Sequence, residues 1–450
     1  MAESSSDALA SLTPLTPFTP LAYGKRSPRT AHRGEIDTLT GLRGVAAAHV
    51  LFFHLFAYFD RSQQQSIPRL IENGPCAVTL FFVLSGFVLT IVAQRDTGPM
   101  SRSAFYIKRL ARLAPLYWLS LLIDACNPAT LLRFLRGSDG VNESIHYQAW
   151  ERTLALLLVP LAGQTWLPFT QFWFMWNAPT WSVSNEALFY LLFPSLLPVI
   201  VRWGHTTRRT CFILAALVLA QCVTFVAYGG AAVLIRNKLD RTRSLRSLEL
   251  DVYATPYVRI FHFIVGAVLG ARFQMATASS AASLDSGEVA PIPPWWAADV
   301  CALACVALLA TVPVFTHGGH VPRTHALVSA ATFMLQGPLF GMLIYCISFK
   351  RRGLAARLLA SSPLVKLGEW SYAMYLLHLP ILSWCTYLVG TSEVATFCPR
   401  DPHGHVRVCQ GGLGAVQMAL ATVLIIVGSA IAHYGIERPL RQWVRRRVLG

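Results

Sequence analysis

Apolar segments of about twenty residues recur along most of this 450-residue chain, separated by shorter polar and basic stretches. A helix needs about 20 apolar residues to cross the hydrocarbon core of a bilayer. Only helices and closed barrels satisfy their backbone hydrogen bonds in lipid, and these lengths fit helices. The pattern predicts an all-α fold, a polytopic transmembrane helical bundle of about ten spans. The predicted spans are 39–60, 74–93, 104–126, 181–202, 210–228, 257–273, 296–315, 326–348, 364–388 and 412–434.

Three regions of the chain differ from this pattern. Residues 1–35 are rich in Ser, Thr and Pro and predict a disordered cytoplasmic tail. Residues 441–450 predict a basic cytoplasmic tail, which leaves one membrane domain over 36–440. The segment 150–176 is apolar but broken by two prolines, so it is interpreted as an interfacial or re-entrant element rather than a span.

Composition supports a multi-pass integral membrane protein. Hydrophobic residues make up 54% of the chain and charged residues 13%, whereas soluble domains average about 25% charged. This excludes a soluble globule and a wholly disordered chain. A net charge of +16 is also typical of proteins that bind nucleic acid. In a membrane protein, however, basic residues mark cytoplasmic loops, so no nucleic-acid partner is expected. The ten cysteines show no paired CxxC spacing, so no metal site is expected.

Basic residues also predict the orientation of the spans. Most Lys and Arg fall in loops that are cytoplasmic if both termini are cytoplasmic, and the loop 229–256 is the exception. The glycosylation sequon at Asn142 then lies outside. Cys398 and Cys409 share a second outside loop, where an oxidising compartment would allow them to pair.

The first predicted span carries Arg43 and His54, eleven residues apart. Three helical turns put both on one face, about 16 Å apart along the axis. Arg43 lies near the cytoplasmic end, where it can anchor an anionic ligand, and His54 lies deeper toward the outside. The alternative for Arg43 is snorkelling to lipid headgroups.

The third predicted span opens with Lys108, Arg109 and Arg112 at the cytoplasmic face. The two arginines are three residues apart and point the same way. Together with Arg43 they provide four cations at one level, a set suited to binding phosphate groups. The alternative is a simple positive-inside signal.

Glu186 lies in the fourth predicted span, about 9 Å from its outer end, and His54 lies about 9 Å from the outer end of the first. A carboxylate and an imidazole at one depth form a candidate acid–base pair. The alternative is that Glu186 is solvated at the outer surface.

Further polar side chains are candidates for lining a cavity. Ser371, Tyr375 and His378 are spaced i, i+4 and i+7 and form one polar stripe, for which interhelical hydrogen bonding is the alternative. Ser85 and Gly86 lie in the middle of a span, where small residues also permit close helix packing.

These segments resemble, in order, the motifs of the membrane-bound acyltransferase 3 family. The similar segments are TGLRGVAAAHVLFFH, FFVLSGF, FYIKRLARLAPLYW, WSVSNEALFY, SYAMYLLHLP and IERP. The resemblance extends over about residues 36–440 and rests on the ordered occurrence of the whole set.

The resemblance implies an acyltransferase that moves an acyl group, commonly acetyl, from acyl-CoA to a hydroxyl of a glycan, lipid or small molecule. It implies that Arg43 and His54 are essential, that Arg109 and Arg112 help to hold the CoA donor, and that Glu186 is functionally important. His54 would act as a general base or as a nucleophile, with Glu186 orienting it or stabilising its charged form.

Two other classes of protein fit the spans. Intramembrane His, Glu and Arg are equally typical of a proton-coupled secondary transporter or exporter. A scaffold or receptor-like bundle would tolerate loss of all these residues.

Overall fold

The computed structural model describes residues 33–58, 68–95, 101–137, 149–168, 172–239, 252–282, 292–312, 323–349, 353–390 and 413–447. The regular elements in these ranges are helices, as predicted. The α-helices are α1 (Arg33–Tyr58), α2 (Arg69–Glu72), α3 (Cys76–Arg95), α4 (Arg102–Ala125), α5 (Pro128–Arg136), α6 (Ala149–Leu158), α7 (Thr180–Trp203), α8 (Thr207–Leu239), α9 (Pro256–Ala282), α10 (Ala297–Thr311), α11 (Arg323–Ile347), α12 (Leu354–Leu359), α13 (Ser362–Glu369), α14 (Ser371–Val389), α15 (Ala415–Ala432) and α16 (Arg438–Arg447). A 3₁₀-helix covers Phe172–Phe174 and a π-helix covers His433–Glu437.

Eight helical segments of the described chain are long and apolar enough to cross a membrane, and each overlaps a predicted span. The protein is thus a multi-pass helical membrane protein. The third predicted span forms α4, which has the length but carries too many charges to count among the eight. The seventh forms α10, which has only 15 residues. The total of ten spans and the cytoplasmic termini stay predictions.

Several element boundaries differ from those predicted. The ninth predicted span divides at Trp370 into α13 and α14. Gly368 brings α13 against the backbone of Thr40, where any Cβ would overlap its carbonyl oxygen. The tenth predicted span continues as a helix beyond its apolar residues, because α15, the π-helix and α16 form one helix to Arg447. The loop element predicted at 150–176 contains the ten-residue α6 and the 3₁₀-helix, and no span.

Glycines join α3 to α9 at the centre of the bundle. A Cβ on Gly86 would overlap the carbonyl oxygen of Phe263, and one on Gly266 would overlap that of Val83. The close packing expected at Gly86 is therefore confirmed, since only glycine allows the two backbones to approach this closely. Both helices are largely buried, whereas α8 and α15 expose most of their apolar side chains and form the lipid-facing periphery.

Three expectations concern residues outside the described ranges. These are the disordered tail predicted over 1–35, the sequon at Asn142, and the pairing of Cys398 with Cys409. Of the tail, residues 1–32 lie outside the described ranges, and residues 33–35 begin α1 instead. Residues 240–251 of the basic loop 229–256 also lie outside them.

Candidate active site

A cavity of about 730 Å³ opens between α1, α3, α4, α7, α14 and the segment from the π-helix to α16. Its lining carries six arginines against three glutamates, so its formal charge is positive. These charged residues are Arg43, Arg109, Arg112, Arg438, Arg441, Arg445, Glu186, Glu369 and Glu437. Such a surface is suited to an anionic ligand, because guanidinium groups bind phosphate and carboxylate oxygens in a bidentate manner.

Helix α4 contributes two of the predicted arginines to this cavity. Ser101 caps the helix, since its hydroxyl accepts a hydrogen bond from the backbone N–H of Ala104 at 3.4 Å. The guanidinium of Arg109 lies 5.7 Å from the ring centroids of Phe105 and Tyr190, within cation–π range. These two rings hold the side chain of Arg109 toward the cavity.

Arg43 and Arg112 both line this cavity. Each lies within electrostatic range of the other and of the carboxylates of Glu186 and Glu437. The structure thus brings Arg43 together with the α4 arginines, as the sequence predicted. Their role in holding a donor stays a prediction.

Lys108 occupies a different position from the other predicted cations. Its side chain is exposed and lines a neighbouring pocket of about 390 Å³. The pocket shares Arg109, Arg112, Arg441 and Arg445 with the main cavity. Lys108 therefore extends the positive surface beyond the main cavity.

Glu186 is held on the cavity side of α7. Its Oε1 accepts a hydrogen bond from Ser85 Oγ at 2.7 Å and a second from the hydroxyl of Tyr190. Ser85 also lies 3.2 Å from that hydroxyl, so the three side chains form one cluster. The predicted cavity residue Ser85 thus lines the cavity beside Glu186.

The sequence analysis missed the contribution of the C-terminal helix. Arg438, Arg441 and Arg445 were assigned to the end of the domain and to a basic tail, yet all three line the cavity from α16. Their spacing of three and four residues puts them on one helical face, which was the available signal.

The π-helix before α16 holds another residue that the sequence analysis missed. Glu437 is only 3% exposed, and its Oε2 lies 2.9 Å from Nδ1 of His433. Its Oε1 accepts a hydrogen bond from Arg441 at 3.2 Å. π-Turns occur frequently at functional sites, and this one brings a carboxylate between the arginines of α1, α4 and α16.

His54 has a different partner from the one expected. Its Nδ1 lies 2.9 Å from the carbonyl oxygen of Val50 and 3.2 Å from Nε2 of His378. The expected pairing with Glu186 is therefore not the one in the structure. Equal depth was the basis of that expectation, but His54 faces α14 while Glu186 faces the arginines.

The predicted stripe on α14 divides between the cavity and the layer behind it. Ser371 and Tyr375 line the cavity, whereas His54 and His378 are not among the residues described in its lining. Tyr375 connects the two layers, since its ring centroid lies 6.1 Å from that of His378. Arg43 and His54 were expected on one helical face, and of the two only Arg43 is in the described lining of the cavity.

A fully buried arginine on α9 also escaped the sequence analysis. Arg259 is 0% exposed, donates from Nε to the carbonyl oxygen of Tyr253 at 2.6 Å, and donates from NH1 to Thr79 Oγ1 at 2.7 Å. Its guanidinium lies 4.2 Å from the ring centroid of Tyr253 and 4.4 Å from that of Phe333. These contacts make Arg259 a link between α3, α9 and α11.

Within the described ranges, no group of three or more His, Cys, Asp or Glu side chains is placed to hold a metal ion.

The chain is similar to a known protein family over most of its length. A family described as an acyltransferase domain matches residues 36–434. Acyltransferase MdmB of Streptomyces mycarofaciens is 27% identical over 92% of this chain and 93% of its own length. Nose resistant to fluoxetine protein 6 of Caenorhabditis elegans is 26% identical over 52% of this chain and 31% of its own.

A shorter part of the chain is similar to a protein of Staphylococcus aureus (strain COL) that is named as a candidate O-acetyltransferase. It is 28% identical over 36% of this chain and 24% of its own length. No solved structure matches the chain.

Proposed function

Because the chain belongs to the acyltransferase domain family that matches residues 36–434, we propose that it transfers an acyl group from acyl-CoA to a hydroxyl acceptor. Acetyl is the proposed acyl group, and the acceptor is a hydroxyl of a glycan, a lipid or a small molecule. One observation supports the donor most directly, namely the six arginines that three distant parts of the chain bring to one cavity.

The phosphates of CoA are the groups that this cavity is suited to bind. Arg43, Arg109 and Arg112 would bind them with partly buried side chains, and the α16 arginines would bind them with exposed ones. Charge-assisted hydrogen bonds between guanidinium and phosphate are about twice as strong as neutral ones. With the phosphates bound there, the pantetheine arm would extend toward Ser182 and Tyr375, which also line the cavity.

The acyl transfer itself is assigned to the region between Tyr375 and His54. The acceptor hydroxyl would attack the thioester carbonyl carbon while His54 takes the hydroxyl proton. The C–O bond of the ester forms, the C–S bond breaks, and the CoA thiolate takes the proton from His54. General-base catalysis of this kind contributes about 10²- to 10⁴-fold to a rate.

The test is acyl transfer from labelled acetyl-CoA by the purified protein in lipid, read as release of free CoA thiol and as labelled acceptor. We expect His54→Ala to lower kcat by at least about 100-fold. The matched control is His49→Ala on the same helix, since His49 contacts the carbonyl oxygen of Leu70 instead of His378.

Full activity of His54→Ala would remove the proposed base. Label retained on the wild-type protein, but absent from His54→Ala, would indicate a nucleophile instead. Transport of a solute without consumption of acetyl-CoA would contradict the proposed function as a whole.

A further inference from the structure

Two histidines from distant parts of the chain form a pair behind the cavity. His54 on α1 and His378 on α14 have ring centroids 4.8 Å apart, and Nε2 of His378 lies 3.2 Å from Nδ1 of His54. Both rings also lie against the backbone of their own helix. His54 Nδ1 is 2.9 Å from the carbonyl oxygen of Val50, and His378 Nδ1 is 3.1 Å from that of Met374.

These contacts determine where the protons lie when both rings are neutral. A carbonyl oxygen only accepts hydrogen bonds, so Nδ1 carries the proton in each ring. His378 Nε2 is then unprotonated and accepts from His54 Nδ1–H, which it shares with Val50. The remaining nitrogen of His54, Nε2, is left with a free lone pair.

His378 is fixed more firmly than His54. Its side chain is only 1% exposed, whereas His54 is half-buried. Its neighbour Tyr375 is itself held, since the Tyr375 hydroxyl accepts from Ser182 Oγ at 2.8 Å and donates to the carbonyl oxygen of Pro179 at 3.2 Å. A ring held in this way can impose its orientation on the less buried ring beside it.

We propose that His378 is a positioning residue, which together with the carbonyl oxygen of Val50 holds His54 as the tautomer whose Nε2 is free to take a proton from the acceptor hydroxyl. This inference rests on the proposed function. It assigns to a neutral imidazole the orienting task that a carboxylate performs in a Ser-His-Asp triad. When His54 Nε2 takes the proton, the His54 Nδ1–H···Nε2 His378 hydrogen bond becomes charge-assisted, so the imidazolium is stabilised.

The first test compares two substitutions of His378 in the full-length protein in lipid. We expect His378→Leu, which removes the acceptor, to lower kcat by about 100-fold and to leave KM for acetyl-CoA within about twofold. His378→Gln has an amide oxygen that can accept from His54 Nδ1–H, so it should recover at least a tenth of the wild-type kcat.

The matched control for lost burial is His262→Leu. His262 is also fully buried, on α9, where its Nε2 lies 2.9 Å from Nε2 of Gln221 and outside the described cavity lining. The folded fraction of the His262→Leu variant should have a kcat near that of the wild type. A kcat of His378→Leu equal to that of the wild type, or an equal loss in His378→Gln and His378→Leu, would overturn the proposal.

The second test reads the tautomer directly and does not need activity. In protein labelled with ¹⁵N-histidine, His54 should show a protonated Nδ1 and an unprotonated Nε2 at neutral pH. His378→Leu leaves only the carbonyl oxygen of Val50 to accept from Nδ1–H, so it should raise the fraction of His54 that is protonated at Nε2. A wild-type His54 protonated at Nε2 would overturn the proposal even if acyl transfer is confirmed. If no acyl transfer is found, the proposed function fails, and this measurement still decides whether His378 sets the tautomer.

Discussion

Arginine side chains give the cavity a surface that is suited to an anionic ligand. Six of them line it, and they come from α1, α4 and α16. The guanidinium fork matches phosphate geometry in a way that lysine does not. The contribution of each arginine can therefore be measured through donor affinity, separately from the chemical step.

Arg445 and Arg446 offer a matched pair for such a measurement. Both are exposed on α16, but only Arg445 is in the described lining of the cavity. We expect Arg445→Ala to raise KM for acetyl-CoA about fivefold, since an exposed ion pair contributes up to about 1 kcal/mol. Arg446→Ala should leave KM unchanged.

Salt provides the accompanying check on Arg445. The Debye length falls to about 3 Å at 1 M ionic strength. The difference between the two variants should therefore shrink at high salt. Equal KM values for both variants at low salt would contradict a role of α16 in donor binding.

The sequence correctly placed the arginines of α1 and α4 close together, while their roles stay predictions, and it did not identify the partner of His54. Depth along a span follows from residue numbers, so Arg43 and Arg112 could be placed at one level. The direction in which a side chain faces depends on how the helices are rotated against one another. His378 lies 324 residues from His54 in the chain, and no local pattern reports that contact.

At the scale of elements, the contact between α3 and α9 depends on glycine. Gly266 faces the backbone of Val83 on α3 without room for a side chain. Gly230 on α8 has no heavy atom within 4 Å of the position of an added Cβ. The two positions therefore give opposite expectations for the same substitution.

We expect Gly266→Ala to lower the melting temperature of the purified protein and the yield of folded protein, because overpacking costs about 1–3 kcal/mol. Gly230→Ala should be neutral or stabilising by up to about 1 kcal/mol, since alanine favours a helix. Thermal unfolding in detergent measures both. Equal melting temperatures for the two variants would contradict the close approach of α3 and α9.

The sequence predicted the end of a helix well where an apolar run ends. It predicted the end poorly where the helix continues into a polar segment. The apolar core of the last span ends near residue 434, and the arginines that follow are typical of a cytoplasmic flank. The structure continues the helix to Arg447 and turns that flank into a wall of the cavity. A helix that faces both lipid and a charged cavity cannot be recognised from hydropathy alone.

At the scale of the whole molecule, the predicted orientation puts the arginine-rich opening on the cytoplasmic side, where CoA is found. The same orientation puts the segment between α5 and α6 on the opposite side. That segment includes the sequon at Asn142.

We expect Asn142 to be glycosylated when the protein is expressed in a eukaryotic host, because the sequon would then face the secretory lumen. The measurement is a glycosidase-sensitive shift in electrophoretic mobility, with Asn142→Gln as the control that lacks the shift. If Asn142 stays unmodified while a sequon added at the C-terminus becomes glycosylated, the orientation is the reverse of the predicted one.

The π-helix at His433–Glu437 contains one residue more than the α-turn it replaces. The wider turn accommodates that residue with little change in total rotation, so removing an uncharged residue from it would leave Arg441 and Arg445 facing the opening. Each residue advances an α-helix by about 100°, so removing an uncharged residue between Arg441 and Arg445 would instead turn Arg445 away from Arg441 by about that angle. The position of a single-residue gap near the end of this helix therefore decides whether the arginine face is kept, although both deletions conserve every charge.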